Sequence, residues 1–308
     1  MYIVFSAFLG ISMLISGIFT MRLGLKHLLW HRMQHTLRKL VITPWRGMII
    51  GTLAAAIMQS STALSLITIG LVSAEYLSFY QGLGLILGAN IGTCSTVQLM
   101  SLSLPDELLL PLFFILIFVI ASSNRLRYLA MAAAGLLSMF IGLDVLSDTL
   151  SNMSELNTVI QYLTIARRNP LYGILGGIIM TFLFQSSSAA TGVLMMLATE
   201  GIIDLTTAAY VVYGNNIGSC LSSVVVGATA PLAAKRIAVS HIVLNVLGVA
   251  AALPFTSLLI AAANWFTADF ARQVALVHTI FNIISSLVVL PIVKQYALFI
   301  MRLVPGKE

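Results

Sequence analysis

Gln59-Ser60-Ser61-Thr62-Ala63 interrupts an otherwise apolar run, Gly47–Val72, and the pattern returns as Gln185-Ser186-Ser187-Ser188-Ala189 inside Gly173–Ala198. Working outward from these points, the chain matches itself without a gap at an offset of 126 residues (185 − 59). Pro44, Gly47, Gly51, Gly88, Asn90-Ile91-Gly92 and Cys94 meet Pro170, Gly173, Gly177, Gly214, Asn216-Ile217-Gly218 and Cys220. The copies share polar residues and glycines, while the positions that would face lipid have drifted. That distribution favours a retained site over a duplication that builds only a channel or a scaffold.

The surroundings place the repeat in a membrane. Of 308 residues, 59% belong to the apolar and aromatic set and only 8% are charged, against about a quarter charged in soluble proteins. A surface so poor in ionisable groups has to face lipid, which excludes a soluble enzyme, a nucleic-acid binder and a disulfide-stapled secreted domain. Apolar stretches of spanning length lie at Ile3–Met21, Phe79–Leu104, Leu108–Ser122, Tyr128–Leu146, Leu205–Gly227, Ile237–Ala263 and Val274–Leu298. Met1–Met21 lacks a basic leader and a cleavage site and reads as a retained span.

If the Gln-Ser-Ser runs are tips of re-entrant hairpins, seven crossings remain. Thirteen basic residues then fall on one face, from Arg22, Lys26 and Arg32 through Arg125, Arg127, Lys235 and Arg236 to Lys294, Arg302 and Lys307, against Arg167, Arg168 and Arg272 opposite. The positive-inside rule makes the first face cytoplasmic, with the N-terminus outside and the C-terminus inside. Hairpins and full double crossings give the same sidedness. Each copy also carries an amphipathic stretch with helical spacing: Leu25, Leu28, Leu29, Met33, Leu37 and Leu40, then Leu150, Met153, Leu156, Ile160 and Leu163. Both read as helices in the interface.

An odd number of crossings separates equivalent points, so the copies are inverted. The expected fold is an all-α polytopic membrane protein with two inverted-topology repeats, each holding a re-entrant helical hairpin and a broken transmembrane helix. The repeats are residues 1–124 and 125–263, and 264–308 adds a C-terminal helix and a cytoplasmic tail.

Gln59, Ser60, Ser61 and Thr62, and Gln185, Ser186, Ser187 and Ser188, would supply hydroxyls, carboxamides and the unpaired N–H groups of a helix start, which suit an oxyanion. Interhelical hydrogen bonding is the alternative use of such residues. Gly88-Ala89-Asn90-Ile91-Gly92-Thr93 and Gly214-Asn215-Asn216-Ile217-Gly218-Ser219 look like weakened helix. Their carbonyls, Asn90, Asn216, Thr93 and Ser219, joined by Ser65 and Thr191, are hard oxygen ligands for Na⁺; close packing at the glycines competes with that reading. No Lys or Arg lies within about ten residues of either tip, so a bound cation is the missing counter-charge. Proton coupling would need a midplane acid or His. His241 and His278, each with an Asn four residues on, read rather as a hydrogen-bonded scaffold pair. Cys94 and Cys220 read as packing residues.

These paired motifs resemble the type II sodium–phosphate cotransporter family and its bacterial relatives, over Gly47–Cys94 and Gly173–Cys220. The resemblance implies sodium-driven movement of inorganic phosphate. It places Gln59 to Thr62 and Gln185 to Ser188 at the phosphate and sodium sites, with Asn90, Asn216, Thr93 and Ser219 completing cation coordination. Thr62 departs from the family's third Ser and adds a methyl group. The chain to Glu308 leaves no room for the cytoplasmic regulatory domain of many bacterial relatives, so that regulation is not expected.

The expectation is a plasma-membrane secondary transporter, not an enzyme, with sodium as coupling ion, phosphate and the bilayer as partners and no cofactor. A transporter of another oxyanion or small carboxylate, a passive channel, and an intramembrane serine hydrolase using His241 or His278 as base are the alternatives. The hydrolase fits poorly, because the Ser motif is doubled and no Gly-x-Ser-x-Gly elbow is present.

Overall fold

The computed structural model describes residues 2–102, 104–151 and 165–306, apart from the side chains of residues 2, 29–36 and 38. Among the described residues there is no strand. The helices are α1 (Tyr2–Leu40), α2 (Pro44–Met58), α3 (Ser61–Ser73), α4 (Phe79–Met100), α5 (Asp106–Ser122) and α6 (Arg127–Ser151). After these come α7 (Pro170–Phe184), α8 (Ser187–Thr199), α9 (Leu205–Ser219), α10 (Leu221–Ala228) and α11 (Leu232–Ala252). A 3-10 turn, Leu253–Phe255, leads into α12 (Thr256–Phe266), α13 (Phe270–Val289) and α14 (Val293–Leu303).

Among the described residues, six stretches are long and apolar enough to cross a bilayer: Ile3–Leu28, Phe79–Met100, Arg127–Ser151, Leu205–Ala228, Leu232–Phe266 and Phe270–Val289. The expected span Leu108–Ser122 corresponds to α5, which at 17 residues is shorter than these six. The last expected span stops at Val289, not Leu298, because Pro291 cannot continue the ladder. The first amphipathic stretch continues α1 without a break to Leu40. Of the second, residues 152–164 lie outside the described residues.

Two compact units interleave the sequence repeats, each taking segments from both. The first comprises residues 1–30, 97–215 and 260–277. Here α1 and α6 touch backbone to backbone: a Cβ on Gly10, Gly17 or Gly24 would lie 3.0, 2.7 or 2.5 Å from the carbonyl oxygen of Gly142, Gly135 or Tyr128. The partner numbers fall as the first rise, so these helices are antiparallel. Leu14, Ile18, Met139, Leu143, Leu194, Met195 and Val212 fill the core behind that seam. On α5, Leu109 packs against Leu137, Phe140 and Ile141, while Leu110, Phe114 and Phe118 face outward.

The second unit comprises residues 31–96, 216–259 and 278–308. Gly84, Gly88 and Gly92 of α4 meet Pro44, Met48 and Thr52 of α2, where an added Cβ would sit 2.3, 2.2 and 2.3 Å from the backbone oxygens. Partner numbers rise together, so α2 and α4 run parallel. The opposite face of α2 carries Trp45, Ile49, Leu53 and Ile57, all exposed. An apolar stripe turned outward from a small-residue seam is what a bilayer permits and water does not. In the first unit α7 repeats the pattern, with Leu171, Leu175 and Ile179 outward and Gly177 and Gly214 in the seam with α9.

Candidate functional site

The two Gln-Ser runs build the same backbone. Gln59 ends α2 in the left-handed region, φ 53° and ψ 30°, and Gln185 ends α7 at φ 51° and ψ 25°. Ser60 and Ser186 follow in extended conformation, and each hydroxyl accepts the amide of the residue three on, Ala63 or Ala189, at 3.2 Å. These are N-caps, and they start α3 and α8. The amides of Ser61 and Thr62, and of Ser187 and Ser188, are left as the free donors of a helix start. The entries match too: Thr43 and Asn169 cap α2 and α7, with Pro44 and Pro170 in the first helical position. α2 packs on α3, and α7 on α8.

Each Gln carboxamide is turned back onto its own helix end, Gln59 Nε2 onto the Ala56 carbonyl and Gln185 Nε2 onto Phe182, the latter at 2.6 Å. Gln59 Nε2 also reaches Ser95 Oγ at 3.1 Å. The two glutamines therefore spend donors on closing the break. Ser61 and Ser188 are buried, and Ser188 Oγ has no hydrogen-bond partner among the described residues.

The expected broken helices need correction. α4 runs unbroken through Gly88–Thr93. Its glycines serve the seam with α2, where a side chain would strike backbone, and close packing is their structural reason. In the second copy the interruption falls at Cys220, between α9 and α10, with Cys220 still in right-handed helical conformation. Nothing in α4 turns its carbonyls inward. Thr93 donates instead to Ala89 O at 2.8 Å, and Ser219 to Asn216 O at 2.7 Å, which leaves both hydroxyl oxygens as acceptors.

In the second unit the structure joins Ser65 of α3 and Asn90 of α4 through His241 of α11. His241 Nδ1 lies 3.3 Å from Ser65 Oγ and 3.5 Å from Ser223 Oγ, and Nε2 lies 3.1 Å from Asn90 Oδ1. All four side chains are buried. Neutral imidazole has one donor and one acceptor. Donation from Nε2 to Asn90 Oδ1, with Nδ1 accepting the serine hydroxyls, satisfies the ring. Asn90 Nδ2 then has no partner among the described residues, so in this orientation Asn90 offers N–H groups rather than its oxygen. Asn245 Nδ2 bonds the His241 carbonyl at 3.0 Å and Cys220 Sγ at 3.2 Å.

In the first unit Thr191 Oγ1 donates to Ser187 O at 2.8 Å and accepts Asn215 Nδ2 at 3.1 Å. Thr181 Oγ1 donates to Asn215 Oδ1, also at 3.1 Å. Asn215 thus ties α7, α8 and α9 together.

Sequence reasoning passed over His241 as scaffold and Asn215 altogether. The first copy has Ala89 where the second has Asn215, so the repeat gave no signal there. For His241 the signal was its Asn four residues on, but its partners lie 176 and 151 residues away. No group of three or more His, Cys, Asp or Glu able to hold a metal occurs among the described residues. The oxygen donors present, hydroxyls and carboxamides, are of the hard kind that Na⁺ accepts.

No solved structure matches this chain. It is 31% identical over 293 residues to "Uncharacterized protein YqeW" of Bacillus subtilis, covering 95% of each chain. It is 25% identical over 291 residues to "Putative inorganic phosphate export protein YjbB" of Escherichia coli, covering 94% of this chain and 54% of that protein. The chain thus spans about half the length of that relative. A segment of 58 residues, 19% of this chain and 9% of the relative, is 34% identical to "Sodium-dependent phosphate transport protein 2A" of Oryctolagus cuniculus. The model of the family described as Na+/Pi-cotransporter matches twice, over residues 13–148 and 145–284, and the chain belongs to that family.

Proposed function

We propose that this chain moves inorganic phosphate across the membrane in symport with sodium, by alternating access. The observation that carries the reading is the duplicated helix break, Gln59-Ser60 and Gln185-Ser186, in which backbone angles, cap and free amides are alike. Two helix starts in an apolar setting offer an oxyanion oriented N–H dipoles and hydroxyls without a basic side chain. Phosphate is held at these tips by the free amides of Ser61, Thr62, Ser187 and Ser188 and by the hydroxyls of Ser60, Ser61, Thr62, Ser186, Ser187 and Ser188, with Gln59 and Gln185 setting the break. Its charge asks for a counter-ion, and sodium takes that role. Gln59, Ser65, Asn90, Thr93, Gln185, Thr191, Asn216 and Ser219 are its proposed ligands. For Asn90 that role requires its oxygen to be released by His241.

The membrane reading follows from the same features. The helix pairs α2–α3 and α7–α8 are re-entrant, within repeats 1–124 and 125–263, and 264–308 adds a helix and a cytoplasmic tail. The antiparallel seam of α1 and α6, the opening helices of the two repeats, supports inversion. Arg236 donates to the carbonyls of Val304 and Gly306, and Arg167 pairs with Asp204 at 2.9 Å. Both contacts join residues that charge asymmetry assigns to one side; the N-terminus outside and C-terminus inside rest on the positive-inside rule alone.

The test is labelled-phosphate flux in proteoliposomes, with sodium or choline gradients imposed in either direction. Phosphate movement that follows the sodium gradient is expected, and the productive gradient reads direction, a point sharpened by the export named for YjbB. Flux indifferent to sodium removes the coupling. Equal competition by sulfate or citrate removes phosphate as the substrate.

A further inference from the structure

The His-x-x-x-Asn pattern of α11 recurs in α13 with a different outcome. His278, Asn282 and Ser286 follow one another at one-turn spacing on the same face of α13, and are 2%, 1% and 0% exposed. Ile284, Leu287 and Val288 turn the other face outward. His278 Nδ1, Asn282 Oδ1 and Ser286 Oγ are each buried with no hydrogen-bond partner among the described residues. The orientation of Asn282 is fixed, because its Nδ2 donates to the His278 carbonyl at 2.9 Å. Its oxygen is therefore the free end.

The motif alone does not produce this. Asn245 makes the same back-bond to His241, yet its Nδ2 also has Cys220, and the His241 ring has Ser65, Ser223 and Asn90. Three buried polar atoms without partners on successive turns are costly in an apolar interior, and native proteins fill such places with water or ions. Oxygens one turn apart can both reach one ion between them. Neutral carboxamide and hydroxyl oxygens suit a monovalent cation, whereas divalent ions call for carboxylates.

We propose that Asn282 Oδ1 and Ser286 Oγ bind a monovalent cation on the enclosed face of α13, with His278 Nδ1 accepting a hydrogen bond from water coordinated to it. Identification of that cation as Na⁺ rests on the sodium-coupled reading above. The site adds ligands outside the repeated motifs.

The experiment reads thermal stability of the purified full chain in detergent, without phosphate, as sodium replaces choline at constant ionic strength. Wild-type protein is stabilised by sodium with saturation. Ser286→Ala and Asn282→Leu each raise the half-saturating sodium at least tenfold, or abolish the shift, while remaining as stable as wild type in choline. Ser285→Ala, whose hydroxyl donates to the Asn282 carbonyl at 3.2 Å, keeps the wild-type response. Half-saturation unchanged in both Ser286→Ala and Asn282→Leu overturns the site, and so does a wild-type protein no more stable in sodium than in choline. Should Asn282→Leu not fold, Ser286→Ala decides alone. Sodium-indifferent phosphate flux would remove the coupling but leave this cation site to be judged by its own stabilisation.

Discussion

His241 Nε2 lies 3.1 Å from Asn90 Oδ1, across 151 residues of sequence. One buried ring thereby holds a residue from each of α3, α4 and α10, and it decides which end of the Asn90 carboxamide stays free. His241→Ala leaves Asn90 Oδ1 and the hydroxyls of Ser65 and Ser223 without it, at about 1–3 kcal/mol for each buried group orphaned. The expected outcome is a lower melting temperature and a roughly tenfold loss of the proposed sodium-dependent phosphate flux. His241→Gln, which can place an amide near the Nε2 position, recovers part of both. Flux and half-saturating sodium identical to wild type in His241→Ala would separate this network from transport.

The capping serines have a structural and a chemical role that substitutions can divide. Ser60→Ala removes the bond to the Ala63 amide and should cost about 1 kcal/mol of stability. Ser60→Asp restores the cap but sets a carboxylate where phosphate is proposed to bind. Melting curves should place Ser60→Asp near wild type, while phosphate binding stays at least tenfold weaker. Ser186→Ala and Ser186→Asp should behave alike.

Gly88 and Gly70 should answer oppositely to the same change. A Cβ at Gly88 would lie 2.2 Å from Met48 O, while at Gly70 nothing stands within 4 Å. Gly88→Ala must part α2 from α4, and overpacking of this kind costs about 1–3 kcal/mol. Gly70→Ala should stabilise by roughly 0.5–1 kcal/mol through helix propensity. Chemical denaturation in detergent measures both.

Gln185 sits at φ 51°, a region that β-branched residues enter only under strain. Gln185→Val should destabilise by about 1–2 kcal/mol more than Gln185→Gly, which accepts the backbone but loses the bond to Phe182 O. Thermal melting of the pair gives that difference directly.

Much of this was open to inspection in the chain itself. A polar run inside an apolar one has to end one helix and start another, so the breaks at Gln59-Ser60 and Gln185-Ser186 and their caps follow from local chemistry. Gly88 and Gly92 were misleading for a physical reason. Glycine weakens an isolated helix and also lets two helices touch, and only a neighbour such as Met48 tells which applies. His241 was harder still, since its partners are set by how α11 packs on α3. The unpartnered atoms of His278, Asn282 and Ser286 become visible only once the packing around α13 is known.

The contact of α2 with α4 has a mechanical consequence. With backbone pressed on backbone at three successive turns, no layer of rotatable side chains remains there to act as a lubricant. The two helices must travel as a single strut, and the slack available to α3 lies in the connections at its two ends, Gln59-Ser60 and residues 74–78.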